Sequence, residues 1–119
     1  MKIAITSQGK DIDSQVDPRF GRAAYILIVD MVDETIDVLD NSENVNAFKG
    51  AGIQAAVMVA NSGANILLTG YCGPNAFKTL TAAGVKVAND VFGTVRDALE
   101  IFKKGKALFA DGANVEGHW

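Results

Sequence analysis

Ile66-Leu67-Leu68-Thr69-Gly70-Tyr71-Cys72-Gly73-Pro74-Asn75-Ala76 joins an apolar run to a short glycine-bounded loop and then to a helical pattern. Strand, tight loop and helix in that order form the repeating unit of an open α/β sheet, where ligands bind beyond the carboxyl ends of the strands. The loop carries the chain's single cysteine between two flexible glycines. A thiol, mobile backbone and a helix amino terminus suit an anionic, metal-containing guest better than a neutral metabolite.

Outward from this unit the pattern continues. Ile3-Ala4-Ile5 predicts a buried first strand, Tyr25–Asp30 a second, and Thr35–Leu39 a third with the alternation of a half-exposed edge. The short link Met31–Glu34 predicts an antiparallel hairpin between the last two. Ser7 to about Ala23 is a long loop dense in turn formers, and Asn41–Phe48 is a second polar loop. Ile53, Val57 and Ala60 recur at helical spacing, which predicts a helix from Gly50 to Asn61 stopped at Gly63. Asn65–Thr69 is the fourth strand. A helix over Asn75–Ala83 presents Phe77 and Leu80 and stops at Gly84, and Val85–Ala88 is the fifth strand. Thr94 is the expected N-cap of a last helix whose inner face carries Val95, Ala98, Leu99 and Phe102, ending at Gly105.

The order β-β-β-α-β-α-β-α demands right-handed parallel crossovers in its later part and an antiparallel second strand. The expected fold is therefore α/β: a five-stranded mixed sheet covered by helices. Residues 1–107 form one domain, and 108–119, which lack periodicity, read as a flexible tail.

Composition narrows the function. The chain has 119 residues, 49% hydrophobic and 21% charged, enough for a normal core. A net charge of −3 with scattered Lys and Arg argues against nucleic acid as a partner. One cysteine forms no internal disulfide, and the apolar start Met1–Thr6 is too short for a signal peptide or membrane span, so a cytoplasmic location is expected. There is no C-x-x-C, no H-E-x-x-H, no phosphate-loop motif and no G-x-G-x-x-G after the first strand. The lone His118 is penultimate, which supports neither a catalytic triad nor a tail ligand. Asp11, Asp13 and Asp17 read as solvated loop acids before they read as a cation site, because a calcium loop's glycine and bidentate Glu are missing.

The topology gathers the loops after strands one and four at one sheet edge. Arg19 and Arg22 would then face Cys72, with N–H groups near Gly73 and Asn75 adding positive potential. Such a pocket stabilises a polyanion without a nucleophile. Each piece also has a plain reading: Cys72 as an inert buried residue, Arg22 as a surface charge, Gly21 and Gly70 as backbone devices.

Three blocks taken together, Val16-Asp17-Pro18-Arg19-Phe20-Gly21-Arg22-Ala23, Leu68-Thr69-Gly70-Tyr71-Cys72-Gly73-Pro74-Asn75-Ala76-Phe77 and Ala83-Gly84-Val85-Lys86-Val87, resemble the dinitrogenase iron–molybdenum cofactor-binding family over about Met1 to Lys106. The resemblance implies a three-layer α/β/α, ribonuclease-H-like fold and a small non-catalytic carrier of metal–sulfur clusters. It is nearest the orange-protein branch, which implies a molybdenum–copper sulfide cluster, with an iron–molybdenum or iron–sulfur cluster as the alternative. The implied cofactor-binding residues are Arg19, Phe20, Gly21, Arg22, Gly70, Tyr71, Cys72, Gly73, Pro74 and Asn75. The family does not depend on a cysteine at this place, so metal ligation by Cys72 stays open and the weight falls on backbone donors. A monomer is expected, or a dimer around the cluster.

Two other readings stand beside it. One is a divalent-metal-dependent ribonuclease-H-like hydrolase using Asp11, Asp13, Asp17 and Asp30. The other is a cluster-free docking or regulatory module, for a P-loop ATPase or a cluster-accepting protein, anchored by exposed Phe20, Tyr71 and Trp119.

Overall fold

A computed structural model of the protein describes residues 1–45, 50–110 and 112. Five strands form one sheet: β1 (Lys2–Ser7), β2 (Tyr25–Asp30), β3 (Ile36–Asp40), β4 (Ile66–Leu68) and β5 (Lys86–Ala88), in the order β3-β2-β1-β4-β5. β1, β4 and β5 run parallel, and β2 is antiparallel to both of its neighbours, β1 and β3. The mixed sheet with an antiparallel second strand is thus the one expected.

The two central strands are apolar on both faces, as a strand covered on both sides must be. Ala4, Leu67, Ile26, Ile28 and Val87 face one core, and Ile3, Ile5, Leu68, Leu27 and Val29 face the other. Helices α2 (Ala51–Asn61) and α3 (Pro74–Ala82) seal the first core with Ala55, Ala56, Val59 and Leu80. Helix α4 (Val95–Lys103) seals the second with Val95, Ala98 and Leu99. The result is three layers, α/β/α. Each fully buried Ile or Leu of β1 and β4 contributes about 1.5–3 kcal/mol by removal from water. Among the described residues no helix is long and apolar enough to cross a membrane.

The structure departs from expectation in two places. Asn41–Phe48 is not simply a loop: Ser42–Val45 forms one helical turn, α1, because the Asp40 carboxylate accepts the Ser42 N–H and the Asn41 carbonyl accepts that of Asn44. The rest of that segment, 46–49, lies outside the described residues. The expected flexible tail does not begin at residue 108. Phe109 bridges to Ala88 and the Ala110 N–H donates to Val87 O at 2.7 Å, so the chain still follows the β5 edge there. His118 and Trp119 lie outside the described residues.

The long loop after β1 is firmly tied down. Ile12 O and Ser14 O accept the first N–H groups of α4, from Arg96 and Val95, at 2.8 and 2.9 Å. Thr94 caps the same helix from below: its hydroxyl accepts the Asp97 N–H while the Asp97 carboxylate accepts the Thr94 N–H, each at 3.0 Å. The amino end of α4 is therefore fully occupied by the protein itself.

Candidate functional site

At the carboxyl ends of β1 and β4, Thr6 donates its hydroxyl to Asp17 O at 2.7 Å, and its oxygen lies 2.8 Å from the Thr69 hydroxyl. Thr6 therefore accepts from Thr69, and the pair ties the loop after β1 to the loop after β4. Asp17, buried, turns its carboxylate back on its own loop and accepts the N–H groups of Arg19 and Ala24 at 3.2 and 3.3 Å. Pro18 O accepts the Tyr71 N–H at 2.6 Å, and Tyr71 O accepts that of Phe20 at 3.1 Å. The two loops thus lie side by side like short parallel strands, and the first closes with a 3-10 turn over Phe20–Arg22. Buried Asn41 holds that turn from the far side, donating to Ala23 O at 2.8 Å and to Gly21 O at 3.4 Å.

Glycines let the backbones approach. A Cβ on Gly21 would stand 2.8 Å from the Cα and N of Gly52 in the first turn of α2, and one on Gly70 would stand 2.8 Å from Pro18 Cα and O. Both contacts are to main chain, which cannot swing aside.

Where these segments meet lies a cleft of about 340 Å³, lined by Phe20, Gly21, Gly50–Ile53, Tyr71, Gly73, Asn75 and Ala76. Both α2 and α3 point their amino ends into it. Their N-caps are Gly50 and Gly73, which have no side chain to accept a first-turn N–H. The N–H groups of Ala51, Gly52, Ile53, Asn75 and Ala76 consequently have no acceptor among the described residues, and all five residues line the cleft. Neither helix has an acid in its first turn, and among the described residues no lining side chain is charged. The positive ends of two helix dipoles therefore converge on a space with mostly apolar walls. Such a site attracts an anion by N–H donors. Its apolar walls favour a large, soft, weakly hydrated anion.

Of the residues expected at the site, the structure brings Phe20, Gly21, Tyr71, Gly73 and Asn75 into one cleft. Arg19, Arg22, Gly70, Cys72 and Pro74 do not line it. Arg19 is half-exposed with its guanidinium 4.0 Å from Asp17, and Arg22 is partly exposed at the end of the 3-10 turn. Gly70 and Pro74 shape the backbone. Phe20 is 1% exposed and packs in the first core, so it is no surface anchor. Ala76, and Gly50, Ala51, Gly52 and Ile53 of the α2 start, line the cleft without being expected there from the sequence. The signal for the α2 residues was Gly50-Ala51-Gly52 at a helix start, the same small-residue helix opening that drew attention to Gly73.

Cys72 is fully buried in the core beneath α2 and α3, where its thiol lies 3.7 Å from Gly73 O. Tyr71 and Gly73, on either side of it, line the cleft, so the extended backbone sends the sulfur the opposite way. Burial pushes the thiol up from its ordinary value to about 12. Lifting it by some three units leaves about a thousandfold less thiolate at neutral pH. Iodoacetamide is expected to leave Cys72 unmodified in the folded protein and to alkylate it fully in denaturant. Rapid labelling of the native chain would contradict the buried placement.

The acids do not assemble a metal centre. Asp13 pairs with Arg96 at 3.0 Å, Asp17 serves its loop, and Asp30 accepts the Val32 N–H. Among the described residues no group of three or more His, Cys, Asp or Glu side chains is placed to hold a metal ion.

Comparison with known proteins agrees with this architecture. A sequence model of the dinitrogenase iron–molybdenum cofactor family matches residues 1–105. The apo form of the orange protein from Desulfovibrio gigas is 47% identical, with 96% of each chain covered and a TM-score of 0.93. A Thermotoga protein provisionally assigned as NifB, in the DUF35 family, is 35% identical over 98% of each chain with a TM-score of 0.84. An uncharacterised protein of Methanocaldococcus jannaschii is 26% identical over 109 residues, 89% of this chain and 88% of that one.

Proposed function

The chain belongs to the dinitrogenase iron–molybdenum cofactor family, and from that premise we propose that it binds and carries an anionic metal–sulfur cluster, without catalysing a reaction, in the cleft between α2, α3 and the 3-10 turn. The observation that carries this reading is the pair of uncapped helix ends. α4 spends its first N–H groups on its own chain, whereas five of those of α2 and α3 find no acceptor among the described residues and open on one apolar-walled space. A sulfide-rich cluster spreads its negative charge over large, polarisable atoms. Many weak N–H donors then serve it better than one concentrated cation. The cluster we favour is a molybdenum–copper sulfide, with iron–molybdenum or iron–sulfur units as the alternative.

The donor set fits such a group through main-chain nitrogen. Ala51, Gly52, Ile53, Asn75 and Ala76 would donate to its outer sulfides, while Phe20, Tyr71 and Ile53 would exclude water. Tyr71 is steadied by an edge-to-face contact with Phe92, ring centres 5.9 Å apart. Cys72 takes no part as a ligand.

Anaerobic reconstitution with tetrathiomolybdate and copper is expected to give an intense visible charge-transfer spectrum at about one cluster per chain. The five donor amides should shift together in an NMR titration. Cys72→Ala is expected to bind within about twofold of the unmodified chain while losing about 1 kcal/mol of stability to the small cavity. A protein that stays colourless would refute the reading. Loss of colour confined to Cys72→Ala would restore the sulfur as a ligand.

A further inference from the structure

The net charge of −3 is unevenly spread. Residues 30–43, which span the end of β2, the turn, β3 and the start of α1, hold six of the fourteen carboxylates and no Lys, Arg or His. That stretch carries −6. The remainder, with eleven basic against eight acidic residues, carries +3. Among the described residues none of Asp30, Asp33, Glu34, Asp37, Asp40 and Glu43 takes part in an ion pair. Asp33 accepts the hydroxyl and the N–H of Thr35, and Asp40 accepts the Ser42 N–H, which holds both carboxylates below their usual range.

The same stretch contains an open sheet edge. Among the described residues β3 pairs only with β2. The Asp30 N–H donates to Thr35 O and the Asn41 N–H to Ala24 O, which makes 30/35 and 24/41 hydrogen-bonded pairs. Alternation along the register then gives Asp37 and Leu39 the bonds to β2 and turns the N–H and C=O of Ile36 and Val38 outward. The side chains of Ile36 and Val38 are 38% and 40% exposed, on the face they share with Val29 and Leu27, and Ile36 borders a hollow toward Arg96, Leu99 and Lys103 of α4. At the opposite edge the protein's own residues Phe109 and Ala110 lie along β5. One edge is closed by the chain. The other presents two β-branched residues, outward backbone groups and a ring of unpaired carboxylates.

Charge on an edge usually prevents pairing between identical chains, and here a second copy would bring −6 against −6. The same charge selects for a cationic strand. We propose that the β3 edge docks an extended, Lys- or Arg-rich segment of a partner protein by strand addition. The segment's backbone bonds Ile36 and Val38, and its cations lie against Glu34, Asp37 and their neighbours. No residue of this surface lines the cleft, so docking can occur with or without a cluster bound.

The test uses the full chain and a synthetic peptide of alternating Lys and Val, with a control of the same charge interrupted by Pro. The alternating peptide is expected to slow amide exchange at Ile36 and Val38 at least about tenfold, and its affinity should fall about tenfold between about 50 mM and about 500 mM salt. Glu34→Lys with Asp37→Lys, whose carboxylates accept no hydrogen bond among the described residues, should weaken binding about tenfold. Val38→Pro, which removes only an outward N–H, should weaken it with little change in melting temperature. Equal binding of the Pro-interrupted control, or unchanged exchange at Ile36 and Val38, would reduce the surface to simple charge attraction and overturn the proposal. So would dimerisation of the chain through this edge.

Discussion

Gly21→Ala is expected to destabilise the fold by about 2–3 kcal/mol, from overpacking against atoms that cannot move aside. For a domain of this size that lowers the melting temperature by roughly 10 °C. The added Cβ would meet Gly52 Cα and N at 2.8 Å and the Ala51 carbonyl carbon at 3.2 Å, all main chain. Either the 3-10 turn retreats or the first turn of α2 does. In both cases the cleft between the turn and the two helix starts changes shape, so cluster affinity should fall by about a hundredfold, more than the stability loss explains. Gly84→Ala is the control. Gly84 has φ +81, and a Cβ there would meet nothing within 4 Å, so its substitution should cost only about 1 kcal/mol of backbone strain and leave binding unchanged. Thermal melts and cluster titration of the two variants separate the readings. A Gly21→Ala chain that melts and binds like the parent would mean that the close contact with Gly52 is not needed.

Asp17→Ala is expected to cost about 3 kcal/mol, because it leaves the Arg19 and Ala24 N–H groups without the charged acceptor that serves both. The loss should appear in urea as a lower midpoint with an unchanged slope. Asp17→Asn keeps one acceptor oxygen and should cost about half as much. Because Thr6 and Thr69 still hold Asp17 through its main chain, the variant is expected to fold but to lose the register between the Arg19 and Tyr71 segments. Weaker cluster binding should follow. A midpoint shifted by less than about 0.5 kcal/mol would show that the carboxylate does not organise this loop.

Much of the architecture was legible because it rests on short-range signals. The apolar runs at Ile3–Ile5, Tyr25–Asp30 and Ile66–Leu68 mark strands, and Gly63, Gly84 and Gly105, all with positive φ, stop the helices where their spacing says they should. The Thr94 cap was likewise readable from a hydroxyl before an apolar-periodic segment. Asp17 and Asn41 were not readable as organisers. Each is a polar residue in a polar loop, and only long-range contacts bury it: Asn41 reaches Ala23 O across 18 positions.

The candidate site divides in the same way. Tyr71, Gly73 and Asn75 stand out because a strand–loop–helix unit places its own loop at the sheet's carboxyl edge whatever surrounds it. That much the amino-acid order determines alone, along with the alternation of elements, the antiparallel second strand and the absence of a conventional metal motif. Two things were decided only by tertiary structure. The first is the direction of Cys72, which follows from packing: with Tyr71 and Gly73 turned to the cleft, the thiol between them enters the core and stays protonated. The second is the meeting of two helix ends 23 residues apart in sequence, from Gly50 to Gly73. Each amino terminus alone offers a few N–H groups and half a unit of positive charge. Only the packing of Gly52 against both Gly21 and Ala76 brings the two ends to one cleft.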